Sequence, residues 1–454
     1  MNPKQVREDL QSKYGLRVLR IYMDNTAADK PLAVFRLIER NGDEAGVLTA
    51  SLPELGFDLE AREQGYASLA LPDTYRIPLH IVAALRAWLA DDRADGAPLW
   101  LRLSVPLGLL PAVPWEELLH PLLGVPILRL PYQSIYPRRP PGGTSTVVCF
   151  SSPVSEPDVQ ARLDAFIGQV GMDLARATRF HLFGNRAAYP ALLQMRHKYA
   201  GAVRIEVYDP AGAPARDTAV AHNPWLHWIA AAMGEGRVDI VHFLCHCDRL
   251  GEFGALMMGS EPGDAPDSPH PCRAEAAELI DFLDHVGAWC TAFTSAPAER
   301  SAAGMRMLQT QIARHRPGPL LAHDMNVAGS AAGLDAAYRF LFSGNRQPPA
   351  SAAVSLYCHP VLLSPQDVDE ESSKQLREFT LEGRLGDALH DNSLPGYLVS
   401  SQRKLECSAG FLAEAQKESP DGGRVRARNL VLDAVSDYAR SLSGQDGTPG
   451  EKHE

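Results

Sequence analysis

The sequence predicts an α/β protein whose mostly parallel sheet is flanked by helices, and three observations carry that prediction. Apolar runs of strand length recur near residues 146–152, 178–183, 203–208, 238–245, 288–295, 319–323 and 354–363. Helix-length segments lie between several of them: ARLDAFIGQVGMDLA, AAYPALLQMRHKYA, NPWLHWIAAAMG and AAGMRMLQTQIARH. The runs are continuously apolar rather than alternating, which strands buried on both faces require, and a sheet covered on both faces is typically parallel. Ligand sites in such sheets gather beyond the carboxyl ends of the strands, so those ends carry the functional reading.

The elements follow in order. Residues 15–55 hold three β-type runs, LRVLRIYM, LAVFRLIE and AGVLTASL, separated by the turn formers DNTAADK and NGDE, and read as a small sheet. From Ile81 the apolar residues Ile81, Val82, Leu85, Trp88 and Leu89 share one face of a helix that stops in DDRADG and packs on that sheet. After Ser364 an acidic hinge, PQDVDEESSKQ, leads to shorter helical pieces. Val431, Val435, Tyr438 and Leu442 mark a last amphipathic helix before the polar tail SGQDGTPGEKHE, which reads as disordered. At roughly 150 residues per domain, 454 residues predict two or three: a β-rich lead-in with one helix at 1–95, a central α/β domain at 96–365, and a helical appendage at 366–454. No internal repeat is present.

Composition narrows the class. Hydrophobic residues at 45% and charged residues at 22% are ordinary for a globular chain. With 44 Lys plus Arg against 55 Asp plus Glu the net charge is −11, and no basic block appears. Direct nucleic-acid binding and adhesion to anionic lipid are therefore poor expectations. No apolar stretch reaches a membrane span, and MNPKQVREDLQSKYG has no signal core, so the expected location is the cytoplasm. The seven cysteines, at 149, 245, 247, 272, 290, 358 and 407, are sparse and unevenly placed, and read as reduced thiols.

The chain has no GxxxxGK[ST], no strand-GxGxxG-helix and no GxSxG elbow, which removes the commonest nucleotide, redox and serine-hydrolase readings of an α/β sheet. Its most informative stretch is VDIVHFLCHC at 238–247, a buried strand ending on Cys245, His246 and Cys247, followed by the loop DRLGEFG and a short strand, ALMMGS. A histidine at a strand end can serve as general acid or base in the crevice. Equally, His242 and His246 can be hydrogen-bonded residues of a core strand. Cys245 and Cys247 with His270 and Cys272 offer soft ligands for zinc, but the spacing matches no structural knuckle and packed thiols are the simpler reading. No metal and no cofactor are expected.

These residues resemble a family. VDIVHFLCHC looks like the "vHf..HG" strand of CHAT domains, caspase-like relatives of separase among the clan CD cysteine peptidases. Upstream, PLWLRLSVPLGLLPAVPWEELLHPLLGVPILRLPYQSIY is similar to the family's opening segment, with "lPWE.l" at Pro114, Trp115 and Glu116. Downstream, AAELIDFLDHVG, AWCTAFTSAP, GMRMLQTQIARH and PLLAHDMNV repeat the family's helix-strand-helix-strand order around its nucleophile. The resemblance covers about residues 96–365 and implies a caspase-like sandwich.

It further implies that His246 is the general acid/base and that a cysteine should close the second strand. Aligning the family's "vlnaCesg" on AFTSAPAE puts Ala296 at that position. A methyl group cannot attack a carbonyl, and loss of one member of such a unit costs on the order of 10⁶ in turnover. Two substitutes are weak. Cys290 lies mid-strand, about 20 Å upstream if extended, and Ser295 points to the opposite face by the period-two rule. Ala296 is thus either an exchange in an inactivated form or a natural loss. Cys247, where the family carries glycine, offers its N–H to an oxyanion but restricts the backbone. Asp248, Glu252 and Asp324 are candidates to line a substrate pocket; each also fits a solvated or ion-paired acid. Trp115 reads as a structural anchor. The resemblance implies a cysteine endopeptidase that cleaves a partner protein, with bacterial defence or signalling as a common setting for the family. Its rival is a pseudopeptidase that holds a peptide or protein in the same groove without cutting it. The oligomeric state is left open.

Overall fold

The computed structural model describes residues 10–11, 14–24, 31–57, 74–90, 96–132, 145–151, 164, 167–168, 179–214, 223–234, 238–250, 253–258, 261–263, 272–295, 299–343 and 346–363. The chain divides into two units, Met1–Ser373 and Lys374–Glu454, and every described residue lies in the first. The helical appendage expected at 366–454 and most of the helix expected from ARLDAFIGQVGMDLA lie outside the described residues.

The strands are β1 (Val18–Asp24), β2 (Leu32–Ile38), β3 (Glu44–Ser51), β4 (Leu99–Leu103), β5 (Ile127–Arg129), β6 (Ser145–Ser151) and β7 (Arg179–Gly184). There follow β8 (Arg204–Val207), β9 (Ile240–Leu250), β10 (Phe253–Met258), β11 (Cys272–Glu275), β12 (Cys290–Ser295), β13 (Leu320–Asp324) and β14 (Val354–Tyr357). Seven helices are used below: α1 (Leu79–Trp88), α2 (Trp115–Leu123), α3 (Tyr189–Lys198), α4 (Pro224–Met233), α5 (Ala276–His285), α6 (Glu299–His315) and α7 (Ser330–Phe342). Among the described residues none of the helices is long and apolar enough to cross a membrane.

This is a mixed α/β fold with a large, mostly parallel central sheet flanked by helices. Strand order is β3-β2-β1-β4-β5-β14-β13-β12-β9-β6-β7-β8. Two parallel blocks make up most of it, with β2 and β3 added antiparallel beyond β1. The six strands from β13 to β8 run one way, and β1, β4, β5 and β14 run the other; the blocks meet at the antiparallel β13/β14 pair. The lead-in expected as a sheet of its own is continuous with the main one, because β1 pairs in parallel with β4, Val18 opposite Trp100. Burial explains the continuity: Val18, Leu19 and Ile21 are fully covered, so β1 cannot stand as an exposed edge.

Helices cover both faces. On one, Leu192 and Met195 of α3 and Leu334, Ala337 and Tyr338 of α7 share a core with Ile240, Leu244 and Ala292. On the other, Trp225 of α4, Leu279 and Leu283 of α5 and Leu308 and Ile312 of α6 pack on Val241, Phe243 and Phe293. Local chemistry sets the helix ends. Asn223 caps α4, its Oδ1 accepting from the Trp225 N–H at 3.0 Å, with Pro224 in the first turn. Gly124, at φ 70°, supplies the left-handed residue that ends α2. As expected, α1 turns Ile81 and Leu85 into the core beneath Leu19, Ile21 and Phe35.

One helix touches the sheet backbone to backbone. A Cβ at Gly304 of α6 would stand 2.6 Å from the Asp248 carbonyl, and a Cβ at Gly254 of β10 would overlap the Gly304 carbonyl oxygen and lie 2.5 Å from the Leu308 nitrogen. Only glycine at both positions allows α6 to lie this close to the β9–β10 hairpin. Gly304→Ala should therefore lower the unfolding free energy by roughly 1–3 kcal/mol, read as a fall in the urea midpoint. Gly46→Ala, whose Cβ would meet only Leu37 at 3.8 Å, should stay within about 0.5 kcal/mol of the parent. Equal midpoints for the two variants would contradict the close approach.

Candidate functional site

The site is built on β9 and its parallel neighbours. β9 is flanked by β12, with His242 opposite Ala292 and Leu244 opposite Thr294, and by β6, with Ser151 opposite Cys245. Because successive strand residues alternate between faces, Ile240, His242 and Leu244 turn to the α3/α7 side, and Val241, Phe243, Cys245 and Cys247 to the α4–α6 side. His246 belongs to the first set in this alternation and is half-buried.

His246 does not end the strand. β9 loses its partners in the main sheet at Cys245 and runs on through Asp248, Arg249 and Leu250 by pairing antiparallel with β10, Met257 opposite His246 and Leu256 opposite Cys247. The segment expected as a loop is thus half of a hairpin. Alternation along this extension separates the thiols from the imidazole. Cys245 and Cys247 are buried in the apolar core, and burial, with Cys245 and Asp248 adding, pushes the Cys247 thiol well up. A thiol so placed is a packing group rather than a nucleophile. Among the described residues no non-glycine residue has positive φ, so Cys247 keeps extended backbone where a glycine would have more freedom for an oxyanion turn.

The remaining candidates separate similarly. Ala296 and Glu252 lie outside the described residues, as do His270 and the side chain of Cys272. Ser295 is fully buried, and its hydroxyl donates to Asp324 Oδ1 at 3.5 Å. Cys290 is buried in the core on the α3/α7 side. Asp248 is partly exposed, accepts from the Arg249 N–H at 2.9 Å and faces Arg273 at 3.7 Å. Asp324 is ion-paired with the buried Arg306 at 3.5 Å and accepts from the Asn326 backbone and side chain at 3.0 and 3.1 Å.

Asp324 and Arg306 line a narrow cleft with Glu117, Met305 and Ser355, about 260 Å³ including its open mouth. There burial raises the Glu117 carboxyl above its ordinary value, Asp324 adding to the rise and Arg306 opposing it. Beneath it Glu116 holds Arg129 through two hydrogen bonds, 2.6 and 2.9 Å, both side chains almost fully buried. Trp115 is fully buried, its indole N–H donating to the Leu110 carbonyl at 2.9 Å. It anchors structure, as its sequence context predicts.

His242 is the hydrogen-bonded core residue that the strand reading allowed, and its partners, which the sequence did not give, lie one layer below His246. His242 is fully buried between Tyr338 Oη, 2.7 Å from Nδ1, and Thr294 Oγ1, 2.7 Å from Nε2. Thr294 Oγ1 also lies 3.2 Å from His323 Nδ1, and His323 Nε2 is 3.0 Å from the Ser330 carbonyl. The signal was the polar residue in an otherwise apolar run; its partners were not predictable, Tyr338 being 96 residues away.

The fold class is thus fixed as α/β with a mostly parallel sheet. Compared with known proteins, the chain matches no family model and no curated protein.

Burial, with His323 adding, holds the His242 imidazole down at about 3, whereas in the unfolded chain it titrates near 6.5. Between those values the unfolded state binds the extra proton, so this residue makes stability fall as pH is lowered through about 6.5 toward 3. His242→Gln lacks that contribution. The stability difference between parent and variant, from urea unfolding, should therefore shrink steadily from pH 7 to pH 4. A pH-independent difference would mean that His242 titrates alike in both states.

Proposed function

We propose that this chain is a CHAT-type, caspase-like cysteine endopeptidase framework acting on a partner protein, with alanine at the nucleophile position. The observation that carries the reading is the direct parallel pairing of β9 and β12 inside the sheet, in the register His242 to Ala292 and Leu244 to Thr294. In sequence, His246 stands two residues beyond Leu244, and Ala296 two beyond Thr294. The resemblance assigns the acid/base and the nucleophile to those two positions. The half-buried imidazole, the absence of any competing thiol on its face among the described β9 residues, and the opposite-face burial of Ser295 all support the same pairing.

With a cysteine in place of Ala296, His246 would take the thiol proton, and the thiolate would add to a peptide carbonyl. The imidazolium would return the proton to the leaving amine, and water would then hydrolyse the thioester with His246 again as base. Alanine stops the sequence at its first step. A second reading is favoured by that residue alone: a pseudopeptidase that binds its partner in the groove. In both readings the expected partner is a protein or peptide, met in the cytoplasm.

Ala296→Cys should hydrolyse members of a fluorogenic peptide library and show thiol alkylation by iodoacetamide with a midpoint below the free-cysteine value of about 8.5. Adding His246→Ala should remove at least about 10³-fold of the hydrolysis. An Ala296→Cys variant that hydrolyses nothing, and whose new thiol alkylates like free cysteine with or without His246, would sink the peptidase reading.

A further inference from the structure

The buried polar groups beneath His246 form a closed circuit. It leaves α7 at Tyr338, crosses β9 at His242, β12 at Thr294 and β13 at His323, and returns to α7 at the Ser330 carbonyl. Geometry permits the closure. Ser330 and Tyr338 are eight residues apart, about 12 Å of helix rise, and β9 and β13 are two strand spacings apart, about 10 Å. One helix therefore spans three strands and is hydrogen-bonded at both ends of the span.

The circuit has one proton direction. A carbonyl only accepts, so His323 Nε2–H donates to Ser330, and with a neutral ring Nδ1 accepts from the Thr294 hydroxyl. The Thr294 oxygen in turn accepts from His242 Nε2–H, and His242 Nδ1 accepts from the Tyr338 hydroxyl. Every rotor and tautomer is set by its neighbour. Thr294 is the hinge: its hydroxyl joins two imidazoles from two strands, and it is the last residue of β12 registered against β9.

We propose that this circuit is a positioning device for the His246 site, with Thr294 and His242 as positioning residues that hold β9 and β12 in register where β9 leaves the main sheet. The inference rests on the peptidase-framework reading and goes beyond it, since none of these side chains touches the reacting atoms. A hydrocarbon core alone would tolerate small slips of one strand against the next; a directed circuit does not, because any slip breaks a buried hydrogen bond.

The test uses the full chain carrying Ala296→Cys and follows iodoacetamide alkylation against pH, which needs no substrate. Thr294→Val keeps the side-chain shape and removes the hydroxyl. It should raise the alkylation midpoint by at least about half a unit, roughly a threefold slower reaction at pH 7, and Thr294→Ser should restore it. Tyr338→Phe removes only the hydroxyl that opens the circuit, should shift the midpoint in the same direction, and serves if Thr294→Val does not fold. A midpoint that responds to His246→Ala but not to Thr294→Val or Tyr338→Phe, even with a lowered melting temperature, overturns the positioning role alone. A midpoint indifferent to His246→Ala overturns the peptidase reading and this proposal with it.

Discussion

The site depends on how a strand buried on both faces disposes of its polar groups. β9 sits inside the six-strand parallel block with helices above and below, and His242 is wholly cut off from water. An imidazole there must be neutral and hydrogen-bonded through both nitrogens, because an unmatched buried polar atom costs about 1–3 kcal/mol. Thr294 and Tyr338 meet that demand from a neighbouring strand and an overlying helix. Parallel pairing of apolar strands supplies adhesion with little directional preference; this hydrogen bonding supplies the direction.

Alternation then divides the chemistry between the two faces. The even-numbered positions of β9 carry imidazoles toward α7, and the odd-numbered ones carry thiols into the core beneath α4 to α6. Sulfur and imidazole that lie one residue apart in sequence are thus kept on opposite sides of the sheet. The β9–β10 hairpin, pressed on α6 through Gly254 and Gly304, carries the strand beyond His246 and keeps it extended. Helix α6 matters twice over, because Ala303 and Met307 also pack into the core of the N-terminal block, joining the two parallel blocks beneath the cleft.

The antiparallel junction of those blocks explains the charged cleft. Reversal at β13/β14 brings the end of β13 close to the start of α2, so Asp324 and Arg306 face Glu117. Arg306 is fixed by the Ala112 carbonyl at 3.0 Å as well as by Asp324. Its charge is shared between groups 194 residues apart in sequence and 18 residues apart, so the cleft is assembled by topology and not by any local motif.

Local pattern was enough to read the class and most of the strands. The runs at 178–183, 238–245, 288–295 and 319–323 coincide with β7, β9, β12 and β13 to within a residue or two at nearly every boundary, because double-faced burial leaves an apolar run that local reading detects. It also allowed His242 to be read as a hydrogen-bonded residue of a core strand. Long-range packing made β1 pair with β4 and merge the lead-in into one sheet, carried β9 beyond His246 into a hairpin, and brought His242 to Tyr338 and Thr294. Period and polarity are properties of a few adjacent residues, whereas the partner of a strand edge or a buried imidazole is chosen by which distant surface can cover it while satisfying its hydrogen bonds.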